Sequence, residues 1–147
     1  MKRLIPKQSA LINRSVENLL EKTQFWISEI EFIKKEQAFL KELISQHLLE
    51  LCSAANFSKT KLYLNGIEQE DITGSELTES VKNHQINLGL LIENMYLKRE
   101  DEIRRDHELL KTEVKNYIQN FKYLKEQIFE IILDIMKKEK KAKLFIK

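Results

Sequence analysis

Apolar residues recur at every third or fourth position from residue 75 to residue 143, a stretch that contains no proline and a single glycine, Gly89. This spacing places apolar side chains on one face of an α-helix. The stretch is typical of one very long helix over residues 75–141, or of two helices joined by a polar segment. The residues on the apolar face are Leu77, Val81, His84, Leu88, Leu91, Met95, Leu110, Val114, Tyr117, Phe121, Leu124, Ile128, Ile131 and Ile135.

The segment 98–108 interrupts this pattern, because Ile103 is the only apolar residue that it offers to a core. In one interpretation the helix continues through the segment, which is solvated and carries ion pairs between side chains four residues apart. In the other, the chain turns here and Asp106 caps a third helix. We favour the continuous helix, because the segment contains neither glycine nor proline.

An earlier helix is predicted from about residue 7 to residue 55, since Pro6 fits a first helical turn and Ser9 is an alternative N-cap. Its heptad pattern is typical of a helix that packs on other helices. The pattern comprises Val16, Leu19, Thr23, Trp26, Ile30, Ile33, Gln37, Leu40, Ile44, His47 and Leu51. A second line, Phe25, Phe32 and Phe39, runs beside it at sevenfold spacing. We interpret this line as core packing, with a ligand pocket or a partner groove as the alternative.

Residues 56–74 are predicted to connect the two helices, because they contain Gly66, Gly74 and the turn signal Asn65-Gly66. A short strand-like or single-turn element is expected at residues 62–64, and an exposed binding tip is the functional alternative. The next helix is expected to begin at a capping box formed by Thr73 and Glu76, with Ser75 as a competing N-cap.

Two helices joined by such a connection lie antiparallel, with residue 55 facing residue 76. In that register the first helix ends opposite Phe121, and the apolar face beyond it has no cover within the chain. That face comprises Phe121, Leu124, Ile128, Phe129, Ile131, Ile132, Ile135 and Met136. So large an apolar patch predicts a partner, most simply a second copy in a homodimer, or another helical protein. In the same register Trp26 and Phe32 lie opposite the polar segment 98–108, so these apolar residues also need a partner to cover them.

Composition agrees with an all-α protein: 42% of the residues are hydrophobic and 33% charged, with three glycines and one proline. The lone cysteine, Cys52, cannot form an intramolecular disulfide, and the first residues lack the apolar core of a signal peptide. No stretch has the length and apolarity of a membrane span. We therefore expect a cytoplasmic protein.

Charge is concentrated at the end of the chain, where residues 137–147 carry six lysines against Glu139. Lysines here suit the negative end of a helix dipole. The alternative, which we do not favour, is a polybasic contact with nucleic acid or an anionic membrane. Its residues would be Lys137, Lys138, Lys140, Lys141 and Lys143.

Candidate chemistry is limited to His47 and His84, which the antiparallel register places opposite each other near Cys52. A zinc site is conceivable from these residue types, but the chain has no CxxC, HxxxH or Glu-x-x-His spacing. We interpret the two histidines as side chains that pack near the end of the bundle, and a pH-sensitive packing layer is the further alternative. His107 is expected to be exposed. No catalytic, nucleotide or cofactor motif is found, and no cofactor is expected.

These features predict a single all-α domain built as a long antiparallel helical hairpin. If the second helix breaks near residues 98–108, the result is a three-helix bundle. The function predicted is that of a non-enzymatic scaffold or adaptor that self-associates through long amphipathic helices. A nucleic-acid- or membrane-associated accessory protein and a metal-binding bundle are the alternatives.

Overall fold

The chain is all-α, and its computed structural model contains four helices within the residues that it describes. They are α1 (Pro6–Gln46), α2 (Leu48–Leu51), α3 (Phe57–Ile92) and α4 (Glu100–Phe145). The structure describes the backbone of residues 6–95 and 98–145, and the side chains of residues 15–95 and 98–144. The last two residues of the predicted basic tail, 146 and 147, lie outside these ranges. The predicted all-α fold is confirmed.

The chain reverses direction between α1 and α3. α1 ends at Gln46, His47 leaves the helical conformation at φ −118° and ψ 25°, and the single turn of α2 follows. The hydroxyl of Thr60 then donates a 2.7 Å hydrogen bond to the carbonyl of Leu51. Asn56 donates its side-chain N–H to the carbonyl of Glu50 at 3.1 Å. These bonds satisfy carbonyls that the end of a helix leaves free.

The predicted connection over residues 56–74 is wrong, because α3 already begins at Phe57. The supposed turn at Gly66 and the supposed capping box at Thr73 and Glu76 both lie inside this helix. Glycine in a helix costs about 1 kcal/mol relative to alanine, which does not outweigh tertiary packing. Both glycines lie where α4 approaches closely: a Cβ would lie 3.1 Å from Leu124 Cδ1 at Gly66, and 2.5 Å from Tyr117 Oη at Gly74.

The prediction of one continuous helix over residues 75–141 is also wrong, because α3 ends at Ile92. Asn94 adopts a left-handed conformation with φ 58°. The N–H of Met95 bonds the carbonyl of Leu90 at 2.7 Å, and the N–H of Asn94 bonds that of Leu91 at 3.1 Å. This is the Schellman arrangement that ends many helices, and asparagine tolerates the left-handed position that it requires.

The next helix, α4, begins at Glu100 and not at the predicted cap Asp106. Its first turn carries Glu100, Asp101 and Glu102, which place negative charge at the positive end of the helix dipole. The break therefore produces the three-long-helix alternative, a few residues earlier than expected.

Contacts divide the chain into two compact units. Unit 1 comprises Met1–Glu31 and Ser75–Lys115, and unit 2 comprises Phe32–Gly74 and Asn116–Lys147. In unit 1, Gln85 of α3 donates a 3.0 Å hydrogen bond to Thr23 of α1, and Arg104 of α4 bonds Ser15 of α1 at 3.2 Å. Three helical segments thus enclose the apolar core of unit 1, in which Leu19, Leu20 and Ile92 pack against Val16, Leu88, Leu91 and Ile103.

Unit 2 is also built from segments of the three long helices, together with α2. Lys34 of α1 pairs with Asp71 of α3 at 3.1 Å, and Lys125 of α4 pairs with Glu36 of α1 at 2.7 Å. Its buried apolar residues are Ile33, Leu40, Ile44, Leu51, Ile67, Tyr117, Phe121, Ile128, Ile132 and Ile135. The pairing of Lys34 with Asp71 also corrects the predicted register, which assumed a much longer connection.

Candidate functional site

The phenylalanine line on α1 is exposed to solvent, so its interpretation as core packing is wrong. Phe25 of unit 1 is 62% exposed, and Phe32 and Phe39 of unit 2 are 61% and 56% exposed. Each phenylalanine directly precedes a buried residue of the heptad pattern: Trp26, Ile33 and Leu40. Consecutive helical residues are rotated by about 100°, so the phenylalanines are turned away from the core that their neighbours enter.

Two charged residues flank the exposed phenylalanines of unit 2. Lys35 and Glu36 lie three and four residues after Phe32, and four and three residues before Phe39. On a helix this spacing puts them on opposite sides of the line that joins the two rings. Lys35 is exposed, while Glu36 is half-buried and forms an ion pair with Lys125 at 2.7 Å. We call the surface formed by Phe32, Lys35, Glu36 and Phe39 the Phe32–Phe39 face.

The apolar residues of α4 that were expected to lack cover are instead packed within unit 2. Phe121, Ile128, Ile132 and Ile135 are each at most 2% exposed. Leu124, Phe129 and Ile131 are half-buried, and Met136 is 47% exposed. Residues 57–74 form a helix and not a loop, and this helix lies against α4 at Gly66, beside Leu124, and at Gly74, beside Tyr117. Trp26 is likewise buried, in unit 1. Of the residues that had suggested a partner at this face, only Met136 is therefore still exposed.

The histidines do not pair as predicted, because His47 lies in unit 2 and His84 in unit 1. His47 Nδ1 lies 3.4 Å from a carboxylate oxygen of Glu139. His84 Nε2 instead lies 3.0 Å from Nδ1 of His107, and both side chains are buried. The expectation that His107 is exposed is wrong. A signal was available: His107 continues the core spacing of Ile103, Leu110 and Val114, and only its polarity argued against burial.

A buried polar cluster in unit 2 was not foreseen from the sequence. The amide of Gln37 donates to the hydroxyl of Tyr117 at 3.4 Å, and Gln37 Oε1 and Glu70 Oε2 are buried without a hydrogen-bond partner. Burial raises the pKa of Glu70 to about 7. Burial, and then the nearby Glu70 charge, raise the pKa of Tyr117 to about 12. Glu70 is therefore poised to carry a proton near neutral pH.

The lysines of the tail extend α4 and are exposed at positions 137, 138, 140, 141 and 143. Lys138 pairs with Asp134 at 3.2 Å, and Glu139 lies beside His47. Lys137 shares a surface groove with Lys59, but Glu130 and Asp134 line the same groove. Positive charge at this end of unit 2 is therefore interleaved with carboxylates.

Within residues 6–95 and 98–145, no group of three or more His, Cys, Asp or Glu side chains is arranged to hold a metal ion. The thiol of Cys52 is exposed. Over the same ranges, no helix has both the length and the apolarity needed to cross a bilayer.

Comparison of the chain with protein-family models, with curated proteins and with solved structures finds no match. Any inference about the function of the chain therefore rests on the geometry of its described residues.

Proposed function

We propose that this chain is a non-enzymatic helical interaction protein that associates with a second copy of itself through the Phe32–Phe39 face. The observation that supports this proposal is the exposure of two phenylalanines spaced by one heptad on the outer side of α1. A spacing of seven residues keeps side chains on the line along which a second helix can pack. Two turns separate the rings by about 10 Å along the helix axis.

Burial of the two rings supplies the driving force. Transfer of a phenylalanine side chain from water to an apolar contact contributes roughly 1.5–3 kcal/mol. Phe32 and Phe39 obtain less than half of this contribution inside their own chain, because each side chain is more than half exposed. Their packing on a second copy would provide the remainder in both chains, since a two-fold interface uses the same residues from each.

Charge complementarity favours a parallel arrangement of the two α1 helices. In a parallel pair, Phe32 and Phe39 each face their own counterpart across the two-fold axis, and Lys35 of either chain lies beside Glu36 of the other. In an antiparallel pair that stacks Phe32 on Phe39, Glu36 faces Glu36 and Lys35 faces Lys35. Like charges at such positions oppose association, so the parallel pair is preferred.

The area of the face sets the expected strength of the association. A phenylalanine has about 150–250 Å² of surface to bury, so two side chains that are 61% and 56% exposed offer roughly 180–290 Å². A standard stable interface buries about 800 Å² on each partner. The dimer is therefore expected to be weak and reversible, with a dissociation constant in the micromolar range or above.

Disulfide trapping tests both the face and its orientation while leaving both phenylalanines in place. In a Cys52→Ser background, chains carrying Lys35→Cys are mixed with chains carrying Glu36→Cys and oxidised. The parallel dimer predicts disulfides between the two different variants, which mass spectrometry identifies. A Lys61→Cys variant, at an exposed position on α3, serves as the matched control and is expected to cross-link only at the rate of random collision.

Other outcomes would contradict the proposal. Preferential disulfides between identical variants would mean an antiparallel pair. Cross-linking no faster than the Lys61→Cys control would mean that this face does not bind a second copy, and a helix of a different protein would then be its occupant.

A further inference from the structure

The core of unit 1 contains two imidazoles in direct contact, contributed by different helices. His84 of α3 is 3% exposed and His107 of α4 is 1% exposed. The distance between His84 Nε2 and His107 Nδ1 is 3.0 Å, which is a hydrogen bond. Only one hydrogen can lie between these nitrogens, so one imidazole donates while the other must keep its lone pair.

His107 is also held from the side of α1. The ring of Trp26 lies against it, with 4.7 Å between ring centroids. The remaining nitrogen of His107, Nε2, is buried and has no hydrogen-bond partner. When His107 accepts from His84 at Nδ1, its own hydrogen lies at Nε2, where it meets neither water nor an acceptor, and the ring cannot turn outward without breaking its contact with Trp26.

The charged groups around the pair have different effects on a positive charge at the two imidazoles. Lys22 of α1 and Arg104 and Lys111 of α4 all oppose a positive charge on His107. For His84, Asp106 of α4 favours a positive charge and Lys98 opposes it, and these two groups pair with each other at 3.1 Å. Glu113 of α4 lines the same surface pocket as His84.

We propose that the His84–His107 pair makes unit 1 an acid-sensitive module, whose α3 and α4 segments separate around Trp26 when the second imidazole is protonated. A first proton is accommodated on His84, which then donates Nε2–H to His107 and faces Asp106. A second proton places N–H groups on both facing nitrogens, so the hydrogen bond becomes a repulsive contact between two buried cations. Separation of the helices admits water to both rings.

The direction of the titration agrees with this geometry. Burial lowers the pKa of both imidazoles from 6.5, that of His107 to about 4. Because the open form takes up protons at a higher pH than the closed form, the closed form is fully stable above pH 6.5 and loses stability as the pH falls below it. Unit 1 is thus expected to open on mild acidification.

Trp26 is the only tryptophan of the chain and touches His107 directly, so its fluorescence reports on this contact. Between about pH 7.5 and pH 5, its emission should shift to the red as the ring becomes hydrated. Hydrogen-exchange protection of residues 80–91 and 103–115, corrected for the intrinsic rate, should fall about tenfold per pH unit for each proton taken up. Protection of residues 121–135 in unit 2 should not fall over this range, because protonation of Glu70 favours the folded form of that unit.

Variants separate this mechanism from general acid unfolding. His107→Phe retains an aromatic ring beside Trp26 and His84→Gln retains a donor to His107, so each should reduce the pH dependence, and the double variant should abolish it. His47→Gln, in unit 2, should leave it unchanged. An unchanged Trp26 emission and protection in the wild type over this range would overturn the proposal. An acid response as large as that of the wild type in both single variants would also overturn it. So would a loss of protection in unit 2 equal to that in unit 1.

Discussion

Gly74 of α3 lies directly against the hydroxyl of Tyr117 on α4. A Cβ at this glycine would lie 2.5 Å from Tyr117 Oη and 3.0 Å from Cζ. Tyr117 is 2% exposed and accepts a hydrogen bond from Gln37, so its ring has little freedom to move away. The close approach of α3 and α4 in unit 2 therefore requires glycine at this position.

Gly74→Ala is predicted to destabilise the protein, although alanine is the better helix former. Overpacking of a buried contact costs roughly 1–3 kcal/mol, which exceeds the gain of about 1 kcal/mol in helix propensity. Urea unfolding followed by circular dichroism measures the difference. Gly89→Ala is the matched control, because it lies on the same helix with no atom within 4 Å of a Cβ, and it should stabilise by about 0.5–1 kcal/mol. Equal effects of the two substitutions would contradict the proposed packing.

Asn94 is predicted to be the residue that stops α3. Its φ of 58° is accessible to glycine and asparagine but strained for other residues. Asn94→Ala should therefore destabilise the protein by about 1 kcal/mol, while Asn94→Gly should be neutral or slightly stabilising. Thermal unfolding of the two variants distinguishes them. A tolerated alanine would mean that the helix end does not depend on the left-handed conformation.

Glu70→Gln is predicted to stabilise the protein at pH 8 and not at pH 5. Burial raises the pKa of this carboxyl from 4.5 to about 7, so the wild type loses stability as the pH rises through that interval and the carboxylate is left charged. The amide avoids this cost, which is on the order of 1–3 kcal/mol. Urea unfolding at both pH values measures it.

Two further measurements sharpen the Glu70 prediction. Glu68→Gln, at an exposed position on the same helix, should have no pH-dependent effect of this kind. The pKa of Tyr117 should also fall in Glu70→Gln, because the Glu70 charge contributes to its elevation. Equal stabilisation by Glu70→Gln at pH 5 and pH 8 would mean that the carboxyl is not desolvated.

Periodicity was sufficient to predict the fold class, and it failed where the core uses residues that are not apolar. In α3, the buried side includes Thr60 and Ile67 and continues through Gly74 to Leu77, but two glycines made the first part resemble a loop. In α4, His107 continues the core line through the charged segment. The helix break was missed because Asn94 acts through its backbone conformation, which the sequence pattern does not express.

The candidate surface was visible in the sequence only as a spacing. Phe25, Phe32 and Phe39 stand out as a sevenfold repeat, but the burial of a repeat depends on where the neighbouring helices lie. Once the first half of α3 is treated as a loop, the pattern predicts an uncovered apolar face on α4 and assigns the phenylalanines to the core. The structure reverses both assignments, because α3 covers α4 and the phenylalanines are left outside.

Sedimentation equilibrium of the purified protein tests the proposed self-association most directly, with Phe32→Gln/Phe39→Gln as the test variant. Leu62→Gln, which removes a 67% exposed side chain from α3, is its matched control. The wild type and Leu62→Gln should rise with concentration from the monomer mass of 17.5 kDa towards twice that value, while the double variant stays at 17.5 kDa. A wild type that remains at 17.5 kDa into the millimolar range, or a double variant that associates as strongly as the wild type, would contradict the proposed dimer.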